Sequence, residues 1–383
     1  MRVTLYGGFA EKGRTCVGVE SGGCRLLLDA GIKTSARGTA DYYPAITDDA
    51  LRAIDALIVT HAHEDHVGAL GWCLAHGLRG RIYMTDETRR ESAICLADYA
   101  EPAHRSLALA APVASLRVGD GALQLAGLRI GTGRSGHVAG GVWCAIDDGR
   151  TRIVYCGDIA PSSPVFAMDA VPRCAALVID ASYGDDTTGA AARASEIAAW
   201  IAARPQGCVL ATPLYGRSAE LLAIVPGRIA LAPGMRDALL AQIACAQWLV
   251  AGIAETLIAR LEAAEDWRAG APLPQAALLC HDGMGISGSS PAILAQACAQ
   301  SHPALFTGHL PGGSPGERMV AEGRAAWIRL PTHPTLAENA AVVASSAPGV
   351  VIGHSCEPSA LEALAQHLPR VRAKLATGDS LDV

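Results

Sequence analysis

The chain is short of lysine: Lys12, Lys33 and Lys374 are the only three in 383 residues. Charged residues of all kinds make up 18%, with 31 basic against 37 acidic side chains and a formal charge of −6. This excludes a sequence-independent nucleic-acid coater, whose affinity rests on a strongly basic surface. A local groove of arginines stays open, because net charge averages over the whole surface. No Cys-x-x-Cys pair occurs among the 12 cysteines, so buried, reduced thiols are expected rather than a disulfide scaffold. The opening Met1-Arg2-Val3-Thr4-Leu5-Tyr6-Gly7 has no signal-peptide architecture, so a cytoplasmic location is expected. The run from Ala238 to Ala254 comes nearest to a membrane span. Gln242 and Gln247 interrupt it, Glu255 and Arg260 bound it, and it reads as a buried helix. No internal repeat and no His-Glu-x-x-His pattern is present, which removes the helical zinc-protease reading.

What is present is concentrated in Thr60-His61-Ala62-His63-Glu64-Asp65-His66-Val67-Gly68. Three imidazoles and two carboxylates follow directly on Ala56-Leu57-Ile58-Val59, a run that reads as a buried strand. The donors therefore leave the carboxyl end of a strand, where α/β folds place their chemistry. Imidazole and carboxylate together form a donor set suited to Zn²⁺. A loop that doubles back can aim His61 and His63 at one ion, and Asp65 and His66 at a second.

Other strand ends carry acids or histidines of the same kind. Arg25-Leu26-Leu27-Leu28 ends in Asp29, placed to hold a ligand histidine by its far nitrogen. His137 lies among small residues in a turn between strands and is free to reach a metal. Ile153-Val154-Tyr155-Cys156-Gly157 ends in Asp158, and Leu177-Val178-Ile179 ends in Asp180. Beyond residue 190 the sequence alternates strand, glycine loop and helix on its own account, as in Val209 to Leu222 and Leu278 to Ala299. A chain of 383 residues is also long for one domain. Domains are expected at 1–190, 191–323 and a return at 324–383. His76 and His104 have no partners in this pattern and read as ordinary histidines.

His61-x-His63-x-Asp65-His66 resembles the signature of the metallo-β-lactamase superfamily, and the chain as a whole resembles its β-CASP branch of RNA-processing nucleases. The resemblance implies an α/β fold: a four-layer αββα sandwich with an inserted α/β cap. His137 resembles the third motif of the family, and Asp158 the fourth, whose carboxylate bridges two metals. Asp180-Ala-Ser-Tyr-Gly resembles motif A, Arg329 to Asn339 motif B, and Val350 to His354 motif C. The implied ligands are His61, His63 and His137 for one zinc, Asp65, His66 and His354 for the other, with Asp158 shared. His333 is the implied general acid, Asp180 its orienting partner, and Asp65 and Asp29 complete the catalytic set. Arg217 and the loop residues Ser287, Gly288 and Ser289 are the implied substrate contacts.

The implied activity is a two-zinc ribonuclease, with manganese as a substitute metal, in which metal-activated water attacks single-stranded RNA internally or from the 5′ end. A homodimer without membrane contact, confined to these two domains, is the expected form. Three alternatives are carried. A small-molecule hydrolase of the same fold would not need the cap, His333 or His354. A DNA nuclease of the branch carries valine at motif C. A non-catalytic scaffold loses metal ligands that this sequence retains. The chain departs from the family's pattern in Pro331-Thr332 before His333, in Asp rather than Glu at 180, and in one extra residue across Ser355-Cys356-Glu357-Pro358.

Overall fold

The computed structural model describes all 383 residues, Met1–Val383, in two compact units. The first comprises Met1–Pro161, Met168–Thr187 and His333–Val383; the second comprises Ser162–Ala167 and Thr188–Thr332. The return to the first unit thus falls at His333 rather than 324, because the short strand Ala326–Trp327 extends the second unit's sheet. Ser162–Ala167 joins the second unit through pairings such as Ala167 N to Trp248 O, 2.9 Å, between segments too distant for a local pattern to announce.

The first unit holds two sheets. One is built from β1 (Arg2–Gly7), β2 (Cys16–Ser21), β3 (Cys24–Leu28), β4 (Ala56–Ile58), β5 (Arg81–Met84) and β6 (Val113–Ser115). The C-terminal β19 (Ser380–Asp382) pairs antiparallel with the free edge of β1. The other runs β18 (Val350–His354), β11 (Ala176–Asp180), β10 (Arg152–Tyr155), β9 (Val142–Asp147), β8 (Leu128–Arg134), β7 (Gly119–Leu125).

Each sheet carries helices on one face, for a reason visible in its residues. Leu27, Leu57 and Ile82 pack with Leu51, Leu70 and Leu96 of the helices beside the first sheet. Val154, Leu177 and Val351 pack with Val342, Leu361 and Leu364 of the helices beside the second. The alternate residues Leu26, Leu28, Ile58, Ile153, Tyr155 and Val178 are just as buried. By the pleat they point to the opposite faces, which the two sheets turn toward each other. The layers therefore run helix, sheet, sheet, helix.

The second unit has one parallel sheet: β12 (Cys208–Ala211), β13 (Ile229–Leu231), β14 (Glu265–Asp266), β15 (Ala277–Cys280), β16 (Ala304–Phe306) and β17 (Ala326–Trp327). Its strand order is β14-β13-β15-β12-β16-β17. Three of its central strands are uniformly buried and apolar, as parallel strands covered on both faces must be. The run Ala238–Ala254 is not one buried helix: a helix ends at Ile243, a 3₁₀ turn spans Ala246–Trp248, and the next helix starts at Ile253. No helix is long and apolar enough to cross a membrane. All 12 cysteines are free thiols and nine of them are buried.

Candidate metal centre

Beyond β4 the chain passes Thr60, His61 and Ala62, then turns into a short helix, Glu64–Val67, with His63 at its N-cap. This loop is pinned from below. Thr15 N donates to Asp65 O at 2.9 Å, Ala30 N donates to His66 O at 2.7 Å, and Gly31 passes directly beneath Asp65. A Cβ at Gly31 would stand 1.7 Å from the Asp65 carbonyl oxygen, so only glycine lets the two backbones approach. The His137 loop is tied to the same place: Val142 N donates to Thr60 O at 3.1 Å. The hydroxyls of Thr85 and Thr88 both reach Gly140 O, at 2.9 and 3.1 Å.

Three groups of donor atoms result, and Asp158 belongs to each: His61, His63, His137, Asp158; Asp65, His66, Asp158; and Asp158, Asp180, His333. In the first, His63 Nδ1 lies 3.1 Å from both His61 Nε2 and His137 Nε2, and Asp158 Oδ2 lies 3.8 Å from the same two nitrogens. These separations bracket the roughly 3.3 Å edge of a tetrahedron of ligands about 2.0–2.1 Å from a Zn²⁺ ion. In the second, His66 Nε2 faces Asp158 Oδ1 at 3.2 Å and Asp65 Oδ2 at 3.8 Å. Both His66 Nε2 and Asp158 Oδ1 are buried, and neither makes a hydrogen bond. Bare polar atoms of this kind, converging in a dry site, fit a divalent cation.

Without an ion, charge inside the cluster is shared by protons. Burial opposes charge on His66, but Asp158, Asp65 and Asp29 outweigh it and hold its pKa well above the ordinary value. Burial would raise Asp158, yet His66 and His333 keep it well below the usual carboxylate range. His61 is pushed down by burial and by the neighbouring imidazoles of His66 and His63. Burial raises Asp65. The site therefore has one strongly basic imidazole set against one strongly acidic carboxylate, a pair that metal binding would replace.

Asp29, with φ +61°, aims its carboxylate into the loop. Oδ2 accepts from His66 Nδ1 at 2.7 Å, Thr60 Oγ1 at 2.8 Å and Tyr155 Oη at 2.6 Å, while Oδ1 accepts from Thr60 N at 2.6 Å. A carboxylate that fixes the far nitrogen of an imidazole sets its tautomer and direction. Asp29→Asn should therefore weaken metal binding by about 10–100-fold, read by chelator competition. Unchanged affinity would show that Asp29 only closes the turn. Tyr155 was not legible as part of this site. It sits in an apolar strand, and only a partner 126 residues away reveals its hydroxyl's use.

His333 Nδ1 stands 2.8 Å from Asp180 Oδ2 and 3.6 Å from Asp158 Oδ2. An ionised carboxylate only accepts, so Nδ1 carries the hydrogen and Nε2 is left for exchange. Asp180 is fully buried, and despite that burial the charge of His333 lowers its pKa. The turn holding His333 is built locally. Glu338 Oε2 accepts from Thr335 N at 2.7 Å, a capping arrangement, and Asn339 Nδ2 donates to Asp180 O at 3.0 Å.

His354 is not brought into any of the three groups. The β11–β18 register sets it opposite Asp180, but its Nε2 lies 3.0 Å from Gly157 O and its Nδ1 2.9 Å from Ser355 Oγ. Both ring nitrogens thus have protein partners. Ser355, the first residue of the lengthened stretch, takes φ +60° and returns its hydroxyl to the ring. Burial lowers the pKa of this imidazole, consistent with a neutral ring that donates on one side and accepts on the other. The expected second-ion ligand is therefore a hydrogen-bonding strut in this structure.

The expected substrate contacts all lie in the second unit. Arg217 Nη2 donates to Thr332 Oγ1 at 2.8 Å. The loop holding Ser287, Gly288 and Ser289 folds around Asp282, whose Oδ1 accepts from Met284 N at 3.3 Å, Ile286 N at 2.9 Å and Ser290 Oγ at 3.1 Å. Ser289 Oγ donates to His281 O at 3.2 Å, and Gly288 has φ +61°. Two of the amides that a glycine loop offers to phosphate are therefore spent internally.

Residues 11–197 match the family model of the metallo-beta-lactamase superfamily. The chain is 29% identical over 201 residues to transcription termination factor FttA of Methanothermobacter thermautotrophicus, covering 48% of this chain and 32% of that protein. It is 31% identical over 198 residues to ribonuclease TTHA0252 of Thermus thermophilus, covering 48% and 44%. To cleavage and polyadenylation specificity factor 73 of Drosophila melanogaster it is 26% identical over 243 residues, covering 59% and 35%. The aligned part is thus less than half the length of each of these relatives. A crystal structure of a protein of unknown function from Enterococcus faecalis V583 superposes with a TM-score of 0.65 at 13% identity, covering 100% of this chain and 99% of that one. That likeness is one of fold.

Proposed function

We propose, from the premise that residues 11–197 form a metallo-β-lactamase domain, that this chain is a two-zinc phosphodiesterase that cuts single-stranded RNA. The observation that carries the reading is the membership of one carboxylate, Asp158, in three convergent donor groups. His61, His63, His137 and Asp158 would hold one ion, and Asp65, His66 and Asp158 the other; manganese suits the same donors. When bound, the ions supply Lewis acidity, lowering the pKa of water toward neutrality and offsetting charge at phosphorus.

The remaining work falls to side chains. Asp29 fixes the ring of His66. Asp180 holds Nδ1 of His333, which presents Nε2 to protonate the leaving 3′-oxygen. His354 steadies the Gly157–Asp158 turn through its bond to the Gly157 carbonyl. Arg217 and the Ser287–Ser289 loop contact the strand's phosphates, so binding weakens as salt rises. The choice of RNA over DNA is supported by a ribonuclease among the relatives and by histidine rather than valine at position 354.

The test compares matched single-stranded RNA and DNA oligomers, each with 5′-hydroxyl or 5′-monophosphate ends, alongside zinc per chain. RNA cutting with two zinc ions per chain is expected. Equal or faster cutting of DNA sinks the RNA assignment, and an inert, metal-free chain sinks the enzyme. Mononucleotide products that depend on the 5′-phosphate would mark an exonuclease.

A further inference from the structure

The second unit carries polar groups that the metal centre does not use. Its sheet is parallel, and the chain leaves the adjacent strands β12 and β16 in opposite directions, toward β13 and toward β17. In open α/β sheets the crevice beyond the carboxyl ends of two such strands is where ligands bind. The β12–β16 register pairs Val209 with Ala304, Leu210 with Leu305 and Ala211 with Phe306. One step on, past both strand ends, stand Thr212 and Thr307.

Both threonines are fully buried, at 0% exposure, and the hydroxyl oxygen of each makes no hydrogen bond within the protein. Two orphaned hydroxyls side by side are costly, because each has lost water without gaining a partner. Arg217 joins them. Its guanidinium fills the space a Cβ at Gly308 would take, with Cζ 2.9 Å from that position, and its Nε is also buried and unpartnered. Ser287 Oγ, in the loop beyond β15, is a further buried hydroxyl without a partner, and Gly283 at the start of that loop packs on Pro213. Of the acids nearby, Asp282 Oδ1 accepts from its own loop and Glu220 Oε1 accepts from Ser163 Oγ at 2.5 Å.

We infer that Thr212, Thr307 and Arg217, with Ser287 at the margin, form an anion subsite for a phosphate group at this sheet's switch point. The set is donor-rich and holds one fixed positive charge, the chemistry that an oxyanion selects. That some anion binds rests on the orphaned donors alone. That its carrier is a nucleic-acid strand rests on the function proposed above, and the two are separable by experiment.

The test uses the full chain with its metals and the double variant Thr212→Val, Thr307→Val, which keeps side-chain shape while removing both hydroxyls. Without ligand, the variant should melt at a higher temperature than the wild type, since it no longer buries unpaired hydroxyls. Added inorganic phosphate should raise the wild-type melting temperature and raise that of the variant less; any phosphate at the metal centre acts on both proteins alike. For a short single-stranded RNA, the KM of the variant should rise about 10–100-fold, the scale of lost charge-assisted hydrogen bonds. An equal response to phosphate, or a variant that melts lower without ligand, overturns the subsite. A lost phosphate response with unchanged KM for RNA keeps the subsite and removes the strand as its occupant. Arg217→Gln supplies the same phosphate measurement should the double variant not fold.

Discussion

Replacing Asp158 by alanine should abolish most of the activity and release at least one equivalent of metal. The expectation follows from its two oxygens. Oδ2 faces His61, His137 and His333, while Oδ1 faces His66 at 3.2 Å. No other residue belongs to all three donor groups. Removing it takes away the one carboxylate common to the three groups, and any two cations held there about 3.5–4 Å apart would lose the anion that offsets their repulsion. Loss of several kcal/mol of electrostatic stabilisation corresponds to a rate lower by about 10³-fold or more. Metal per chain by elemental analysis, with turnover on an RNA oligomer, checks both halves. Full activity with undiminished metal would sink the shared-carboxylate arrangement. Asp158→Asn is the milder control: it keeps the shape, loses the charge, and should fall between the two.

The second large effect is at His333, and here the metal must stay. His333→Ala should lower turnover by about 10²–10⁴-fold, the usual loss when a positioned general acid is removed. The alternative is written in the same geometry, since His333 Nδ1 lies 3.6 Å from Asp158 Oδ2, within a donor group. Metal content discriminates between the two roles. If the variant loses an equivalent of metal, His333 is a ligand, and it takes the place that His354, turned toward Gly157, does not fill. If metal stays and a substrate with a better leaving group recovers much of the rate, proton transfer was the lost step. Asp180→Asn should follow His333→Ala in direction with a smaller loss, because it frees the ring to turn without removing it.

The sequence alone determined the type of centre and its place in the fold. His61, His63, Asp65 and His66 fall within six residues, so their convergence needs only a turn after a strand, and donor chemistry is a property of each side chain. Asp29, Asp158 and Asp180 were legible for a related reason: an acid at or just past the end of an apolar strand marks a carboxyl end, where such folds place their chemistry. Asp29 nevertheless follows a strand of one sheet, and the other two belong to the second. The division into two units was visible too, from the strand and helix alternation after residue 190.

Directions of side chains were decided by tertiary structure. Whether His354 binds a metal or a carbonyl depends on Gly157, 197 residues earlier in the chain, and on the left-handed turn at Ser355. No window of sequence contains both. Tyr155 gives no sign in its apolar strand that its hydroxyl meets Asp29. Thr212 and Thr307 look like ordinary residues after short strands until parallel pairing sets them side by side. A residue's donor type is fixed by its covalent structure, whereas a shortage of partners belongs to the packed interior, where water has been removed and only the assembled neighbours can replace it.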